Sequence, residues 1–352
     1  MDSTVSQMQE RIRAAHASQT PLRIRGGGTK DFYGVRHGGE LLDMRAHTGI
    51  VDYEPSELVV TVLSGTPLLQ LEQLLQARGQ CLPFEPPHFG AGATVGGMVA
   101  AGLSGPARAA VGSVRDYVLG LSMLNGQGEH LTYGGQVMKN VAGYDVSRLM
   151  AGSLGTLGVL AEVTLKVLPK PVAERTLVYA LDAGESIARL NQWGGQPLPI
   201  SASFWHDGKL CLRLSGARAA VEAASGKLGG SVVTDADSLW QSVREQTHPA
   251  FAGSILWRLA LPSTAGDPGL DGLRAIEWGG ALRWYAGEQE AVRGAAARLG
   301  GHAVLYRAPE SLRCREDAFA PLSPALLALH RRLKKAFDPR GILNPGRLYA
   351  EF

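Results

Sequence analysis

Residues 153–169 read SLGTLGVLAEVTLKVLP. From Val159 onward the apolar positions alternate. Val159, Ala161, Val163, Leu165 and Val167 share one face of an extended chain, and Glu162, Thr164 and Lys166 share the other. A period of two marks a half-buried strand. Pro169 and Pro171 then punctuate the chain and mark a first boundary. The strand is preceded by a glycine-rich loop from Gly152 to Gly158, which alone reads as a bulged connection.

Working back from this strand, Leu119 to Tyr133 reads as a hairpin around Asn125-Gly126-Gln127-Gly128. Leu58 to Leu63 is β-rich and ends at Gly65. Thr66 and Pro67 are expected to start a helix as N-cap and first helical residue, with Leu68, Leu71, Leu74 and Leu75 on its apolar face and Gly79 at its end. Met8 to Ala17 has the pattern of an amphipathic helix. Working forward, Ser201 to Leu214 reads as a hairpin turning at Asp207-Gly208. Ile255 to Leu261 and Ala281 to Ala286 read as strands. Helical patches fall at Glu185–Trp193, Ala217–Leu228 and Glu288–Leu299. Strands with helices between them suggest a small α+β unit with an antiparallel sheet covered on one face. Ser323-Pro324 starts a helix through Leu326, Leu329 and Leu333 to Phe337, and Asp338-Pro339 stops it.

The 352 residues are 45% hydrophobic and only 19% charged, with 45 glycines. That is enough apolar chain for about two domains, and a glycine content that favours tight turns or backbone-lined ligand loops. A net charge of +3, with no basic stripe interleaved with aromatics, argues against nucleic acid. Cys81, Cys211 and Cys314 are far apart and odd in number, so a disulfide framework is not expected and a reducing compartment fits. No CxxC and no HExxH occurs, so no metal site is expected. The polar start of the chain reads as neither signal peptide nor spanning helix, and a cytoplasmic location is expected.

Two further glycine loops stand out. Arg25-Gly26-Gly27-Gly28-Thr29-Lys30 follows a short strand. It is either a simple turn or a concavity of backbone N–H groups for an anion, with Thr29 and Lys30 as added donors. Gly90 to Met98 follows Pro86-Pro87 and runs into Val99-Ala100-Ala101-Gly102. Its small side chains suit either close helix packing or a ligand pressed against backbone. Neither loop is a GxGxxG fingerprint or a Walker sequence, which disfavours nicotinamide enzymes and NTPases.

Taken in order, these segments resemble the FAD-binding domain of the vanillyl-alcohol oxidase/p-cresol methylhydroxylase flavoprotein superfamily. The first loop stands at that fold's pyrophosphate loop. Thr94-Val95-Gly96-Gly97 with Gly112 to Gly120 matches a second segment, residues 153–169 a third, and FDPRGILNPGRL (337–348) a C-terminal return. Five stretches are similar to the FAD-binding subunits of bacterial glycolate oxidase: LPFEPPHFG (82–90), GGQVMKNVAGYDVSRLMAGS (134–153), LWRLALPS (256–263), EWGGALRWY (277–285) and LNPGRLYAE (343–351).

The resemblance implies an α+β chain: a two-subdomain FAD-binding domain over 1–172, a cap domain with an antiparallel sheet over 173–318, and a tail over 319–352 returning to the first domain. It implies FAD held by Arg25, Gly26, Gly27, Gly28, Thr29 and Lys30. Further cofactor contacts are implied at Pro86, Thr94, Val95, Gly96, Gly97 and Gly102, at Gly112, Arg115 and Asp116, and at Gly155, Gly158, Val159 and Asn344. Covalently flavinylated members carry His in the first loop. Gly28 and Thr29 stand there instead, which implies non-covalent FAD. The partners implied are a larger FAD-containing hydroxy-acid dehydrogenase subunit and an iron–sulfur subunit, in a complex peripheral to the membrane.

Oxidising a small 2-hydroxy acid at a flavin needs a base for the hydroxyl proton and a cation for the carboxylate. Arg213, Arg258 and Arg283 fall on strands of the second unit, as a clamp or as ordinary strand charges. His302 is either the base or a structural residue. The large subunits of this kind resemble enzymes with a His-x-Gly-Asp-Gly-Asn-x-His metal motif, whereas this chain has only Gly300-Gly301-His302-Ala303-Val304. Three readings therefore stand: a catalytic subunit, a flavin-holding relay subunit, and a reductase of cell-wall precursor synthesis.

Overall fold

The computed structural model describes residues 3–35, 38–135, 145–288, 290–313 and 317–351. Residues 136–144, within the second glycolate-oxidase-like stretch, and Cys314 lie outside the described residues.

The alternating strand runs from Val159 to Lys166 and is the middle strand of a five-stranded antiparallel sheet. Val59–Leu63 and Ile50–Glu54 lie on one side of it, and Val118–Leu124 and His130–Gly134 on the other. Val163, Leu165 and Val167 face the main core together with Val60, Val62, Leu121 and Met123. The expected single apolar face is interrupted. A bulge brings Leu160 opposite Met123, and Val159 packs instead with Val5, Met8 and Ile12 of the first helix, Ser3–Ser18. A bulge adds one residue to one strand and so changes which side chains share a face. The expected hairpin is present, with Asn125 Oδ1 accepting from the Gln127 and Glu129 amides.

The Leu68–Gln76 helix buries Leu68, Leu71 and Leu75. Thr66 does not cap it. Its hydroxyl instead accepts from the Gly49 amide at 2.9 Å and donates to the Gly49 carbonyl at 3.1 Å, and Pro67 stands at the cap position. The hydroxyl is more useful tying down a neighbouring turn, because the next helical amide, Leu68, already donates to Ala93.

The second sheet has eight antiparallel strands in the spatial order 231–232, 173–180, 209–216, 200–206, 273–277, 282–286, 256–260 and 302–307. Its hairpin turns at Asp207 and Gly208, both at positive φ, as a two-residue turn requires. Strand register sorts its side chains. Leu210, Leu212, Leu214, Trp257, Leu259 and Leu305 point to the face covered by the helices Ala183–Gly194, Arg218–Leu228 and Val292–Arg298. Ala202, Phe204, Trp284, Val304 and Tyr306 point the other way, onto Tyr33, Ala101, Leu103 and Leu154. The sheet is therefore apolar on both faces, and its inner face closes over the glycine loops. Glu245 reinforces this closure by accepting from the His88 and Phe89 amides.

The tail helix Pro324–Phe337 is capped by Ser323 and ends at Asp338, as expected. It is fastened by one buried ion pair. Lys334 Nζ lies 2.8 Å from Asp338 Oδ2 and also donates to the Thr156 and Leu343 carbonyls. Asp338 accepts from the Ile342 and Leu343 amides. Leu343 then bridges to Leu22 beside the first glycine loop.

Candidate functional site

The strand Leu22–Arg25 delivers the chain into the first loop beneath a cavity. Its floor is Arg25 to Asp31; Thr94, Gly97, Ala100 and Ala101 form one wall, and Leu154, Asn344 and Arg347 another. Segments separated by up to 320 residues thus build one cradle.

Two things make the first loop suited to an anion. Among the described residues, the amides of Gly26, Gly27, Gly28, Thr29 and Lys30 donate to no protein acceptor. Successive unpaired N–H groups at the floor of a cavity form an anion nest. Lys30 adds a cation beside them, 5.4 Å from the Phe89 ring and within reach of the His88 carbonyl. Burial, only partly opposed by Glu245, pushes its pKa down to about 8.

Arg347 ties down the end of the loop and the turn that follows it. Its guanidinium donates to the Lys30, Asp31 and Val35 carbonyls, and burial lowers its pKa to about 10. Arg25 is paired with Asp31 at 2.8 Å.

The glycines have a second duty. A Cβ on Gly27 would stand 1.4 Å from the Gly92 carbonyl oxygen, and one on Gly26 would stand 2.2 Å from Thr94 Oγ1. The first and second loops are therefore in direct backbone contact. At Gly27 it is the Gly92 backbone that leaves no room for a side chain.

The second loop contributes less than its glycine pattern suggested. Thr94 caps the Val95–Ala101 helix by accepting from Gly97. The Val95 and Gly96 amides are already given to the Thr66 and Ser64 carbonyls. Gly96 exists for close packing, since a Cβ there would meet Ser64 Cβ at 2.6 Å. Thr94 and Gly97 line the cradle; Val95 and Gly96 lie behind it. Gly102 is the left-handed C-cap of the same helix.

Asn344 holds the third side together. Its Oδ1 accepts from the Ile24 amide at 2.8 Å, and its Nδ2 donates to the Leu154 carbonyl at 2.7 Å. Gly155 abuts it: a Cβ there would stand 2.7 Å from Asn344 Nδ2. Gly158 packs on Met123, and Val159 is in the first-helix cluster, so neither lines the cradle. Asp116 accepts from the Ser113 amide and hydroxyl as a local cap. Gly112, Arg115 and Pro86 are likewise outside the cavity lining. Asp31, Leu154 and Arg347 are lining residues not anticipated from the sequence. For Arg347 the signal was its place in the LNPGR stretch.

The three strand arginines do not form one group. Arg258 is opposite Trp284 and Val304, on the inner face, whereas Arg283 is opposite Leu259, on the helix-covered face. Arg283 is spent on the Gly280, Gly266 and Ala265 carbonyls. Arg213 is on the inner face but is paired with Glu85 at 2.7 Å. His302 starts the last strand opposite Ala260, and burial chiefly, then Arg258, lowers its pKa.

Comparison with known proteins places this geometry. The FAD binding domain family matches residues 3–134, and the C-terminal domain of FAD linked oxidases matches residues 320–348. The glycolate oxidase subunit GlcE of Escherichia coli (strain K12) is 48% identical over 345 residues, 97% of this chain and 96% of that protein. The glycolate oxidase subunit GlcD of Bacillus subtilis (strain 168) is 33% identical over 162 residues, 46% of this chain and 34% of that protein. An alkyldihydroxyacetonephosphate synthase shares the fold with a TM-score of 0.65 at 15% identity, over 96% of this chain and 73% of that one.

The cradle fits the cofactor these families carry. A dinucleotide's pyrophosphate needs several donors and a nearby cation, which the Gly26 to Lys30 amides and Lys30 supply. The chain carries an FAD-binding domain of the vanillyl-alcohol oxidase/p-cresol methylhydroxylase type, and it belongs to the family of the glycolate oxidase subunit GlcE.

Proposed function

We propose that this chain is the FAD-bearing small subunit of a complex that oxidises glycolate to glyoxylate and passes electrons towards quinone. The observation that carries the reading is the cradle, a nest of unpaired amides closed by the tail, in a chain 48% identical to GlcE over 97% of its length. In this reading residues 1–172 form the flavin domain, 173–318 a cap, and 319–352 the returning tail. The Gly26 to Lys30 amides hold the pyrophosphate, Thr94 and Gly97 border it, and Asn344 fixes the wall beside Leu154. When bound, FAD supplies the two-electron acceptor. The first loop has Gly28 and Thr29 where an attaching His would be needed, so the cofactor is held non-covalently.

Partners follow from what three cysteines cannot do. A four-thiolate cluster is out of reach for one such chain. Burial moreover pushes the Cys81 and Cys211 thiols up to about 11, away from the thiolate form. One-electron traffic to quinone then needs an iron–sulfur partner, and a larger flavoprotein completes the complex. Among the described residues no helix is long and apolar enough to cross a membrane, so the complex is read as peripheral.

Co-purification with untagged neighbours tests this. The expected product is a larger species containing iron and acid-releasable flavin whose absorbance bleaches on anaerobic addition of glycolate. A chain that stays alone in the presence of its partners, or flavin that remains on the acid-precipitated protein, would contradict the reading.

A further inference from the structure

A second hollow lies between the cap and the flavin domain, next to the cradle. The cradle wall ends at Ala101, and the chain continues from Leu103 to Pro106 into the lining of this hollow. From the cap come Arg258, Glu277, Trp278, Trp284 and Tyr306. Tyr306 packs on Tyr33 at 5.4 Å between ring centroids. Trp278 donates from Nε1 to the Gly105 carbonyl at 3.1 Å and so pins the two domains together.

The charges here are unbalanced. Arg258 lies 5.0 Å from the Trp278 ring and Arg108, from the flavin domain, 4.5 Å from the same ring. Among the described residues neither guanidinium has a hydrogen bond or an ion pair. Burial and then repulsion from Arg258 lower the Arg108 pKa. Arg258 is half-buried and Arg108 exposed, so two guanidiniums beside one indole offer an anion a pair of donors at the mouth of the hollow. Arginine is also the side chain whose planar fork matches a carboxylate.

Glu277 neutralises them only in part. It accepts from Trp284 Nε1 at 2.7 Å. Burial, opposed by that bond and by Arg258, pushes its pKa up to about 7. The other charges around it are committed elsewhere. Glu85, which also raises it, is held by Arg213 at 2.7 Å. Arg244 is taken by Glu245 and Glu72. The phenols of Tyr33 and Tyr306 are buried and hold their protons. Desolvation and then Arg258 lower the His302 pKa.

We propose that this hollow is a binding site for a small monocarboxylate, in which Arg258 takes the carboxylate, Arg108 adds its charge from outside the lining across Trp278, and Glu277 takes up the proton that accompanies it. That the ligand is a 2-hydroxy acid such as glycolate rests on the function proposed above; the site itself does not. An anion beside Glu277 favours its neutral form, so binding above neutrality draws a proton from solution. Affinity is then level below about pH 7 and falls about tenfold per pH unit above it.

The test uses the full chain with its flavin and glycolate as the probe. Trp278 and Trp284 wall the hollow, so quenching of tryptophan fluorescence reads occupancy, and calorimetry in buffers of different ionisation enthalpy reads proton uptake. Saturable quenching is expected. Arg258→Met should weaken it about tenfold or more. Glu277→Gln, which keeps the acceptor for Trp284, should bind with no pH dependence. Flavin content reports folding; if Arg258→Met fails to fold, Arg108→Met, on an exposed residue, is expected to lose affinity severalfold.

No quenching in the wild-type chain, or undiminished affinity in the folded arginine variants, overturns the site. Persistent pH dependence in Glu277→Gln overturns the proton. If quenching is absent while the complex oxidises glycolate, this inference fails and the proposed function stands. If the arginine-dependent site is present and the complex turns over no glycolate, the reverse holds.

Discussion

The side-chain amide of Asn344 bonds at once to the Leu154 carbonyl and the Ile24 amide, joining the tail to two walls of the cradle. Both partners lose their bond in Asn344→Ala. A buried unsatisfied group costs about 1–3 kcal/mol. The variant should lose that much in urea unfolding, and its flavin affinity should fall with it, as read by the recovery of flavin fluorescence on dilution. Truncation after Phe337 should be more severe, because it also strands Lys334.

Gly27 and Gly158 offer a comparison. The Cβ of Gly27→Ala would overlap the Gly92 carbonyl, which is backbone on both sides of the contact. The loops must part, at a cost of about 2 kcal/mol or more, with flavin lost. The Cβ of Gly158→Ala meets Met123 Cε at 1.9 Å, the far end of a flexible chain, and comes no closer than 3.0 Å to backbone, at the Leu124 carbonyl oxygen. That variant should retain its flavin and lose less than about 1.5 kcal/mol. Flavin-to-protein absorbance ratios of the purified variants check both.

Lys30 gives flavin affinity a pH dependence. Without an anion its pKa is about 8. A phosphate beside it stabilises the ammonium, so binding takes up a proton once the pH exceeds that value. Affinity should be level below about pH 8 and decline above it, by up to about tenfold per pH unit. Lys30→Met should bind more weakly and without that decline, measured by titrating flavin fluorescence against apoprotein.

Lys334 and Asp338 should behave as a unit. Asp338 is 0% exposed, so Lys334→Met leaves an uncompensated buried carboxylate. A loss of about 3–5 kcal/mol is expected in denaturant unfolding. Adding Asp338→Asn should recover part of it, since the asparagine oxygen can still accept from Ile342 or Leu343.

The local signals were legible because each is contained in a few residues. Asp207-Gly208 turns a hairpin, and Ser323-Pro324 starts a helix, wherever they stand. What escaped depends on a partner strand. The Leu273–Glu277 strand places Glu277 by pairing with 282–286, and nothing near Glu277 in sequence says it faces a hollow. Arg258 and Arg283 look alike along the chain and are separated only by register. Thr66 had the pattern of a cap, but Gly49 claimed its hydroxyl. The cradle was readable in outline because its loops must be glycine-rich to touch. Arg347, which organises the loop from 316 residues away, was visible only as part of the LNPGR match.

The bridge from Leu22 to Leu343 also has a consequence for biosynthesis. The first glycine loop emerges early from the ribosome, but two of its supports, Asn344 and Arg347, emerge more than 300 residues later. Nascent chains fold from the N-terminus forward. For most of its synthesis this one therefore exposes a loop of unpaired amides without the tail that supports it. Cofactor capture is then expected to be a late event, timed by the arrival of the tail rather than by the folding of the first loop's own surroundings. A cell short of flavin would accordingly accumulate full-length chains with an unfilled cradle, not stalled fragments.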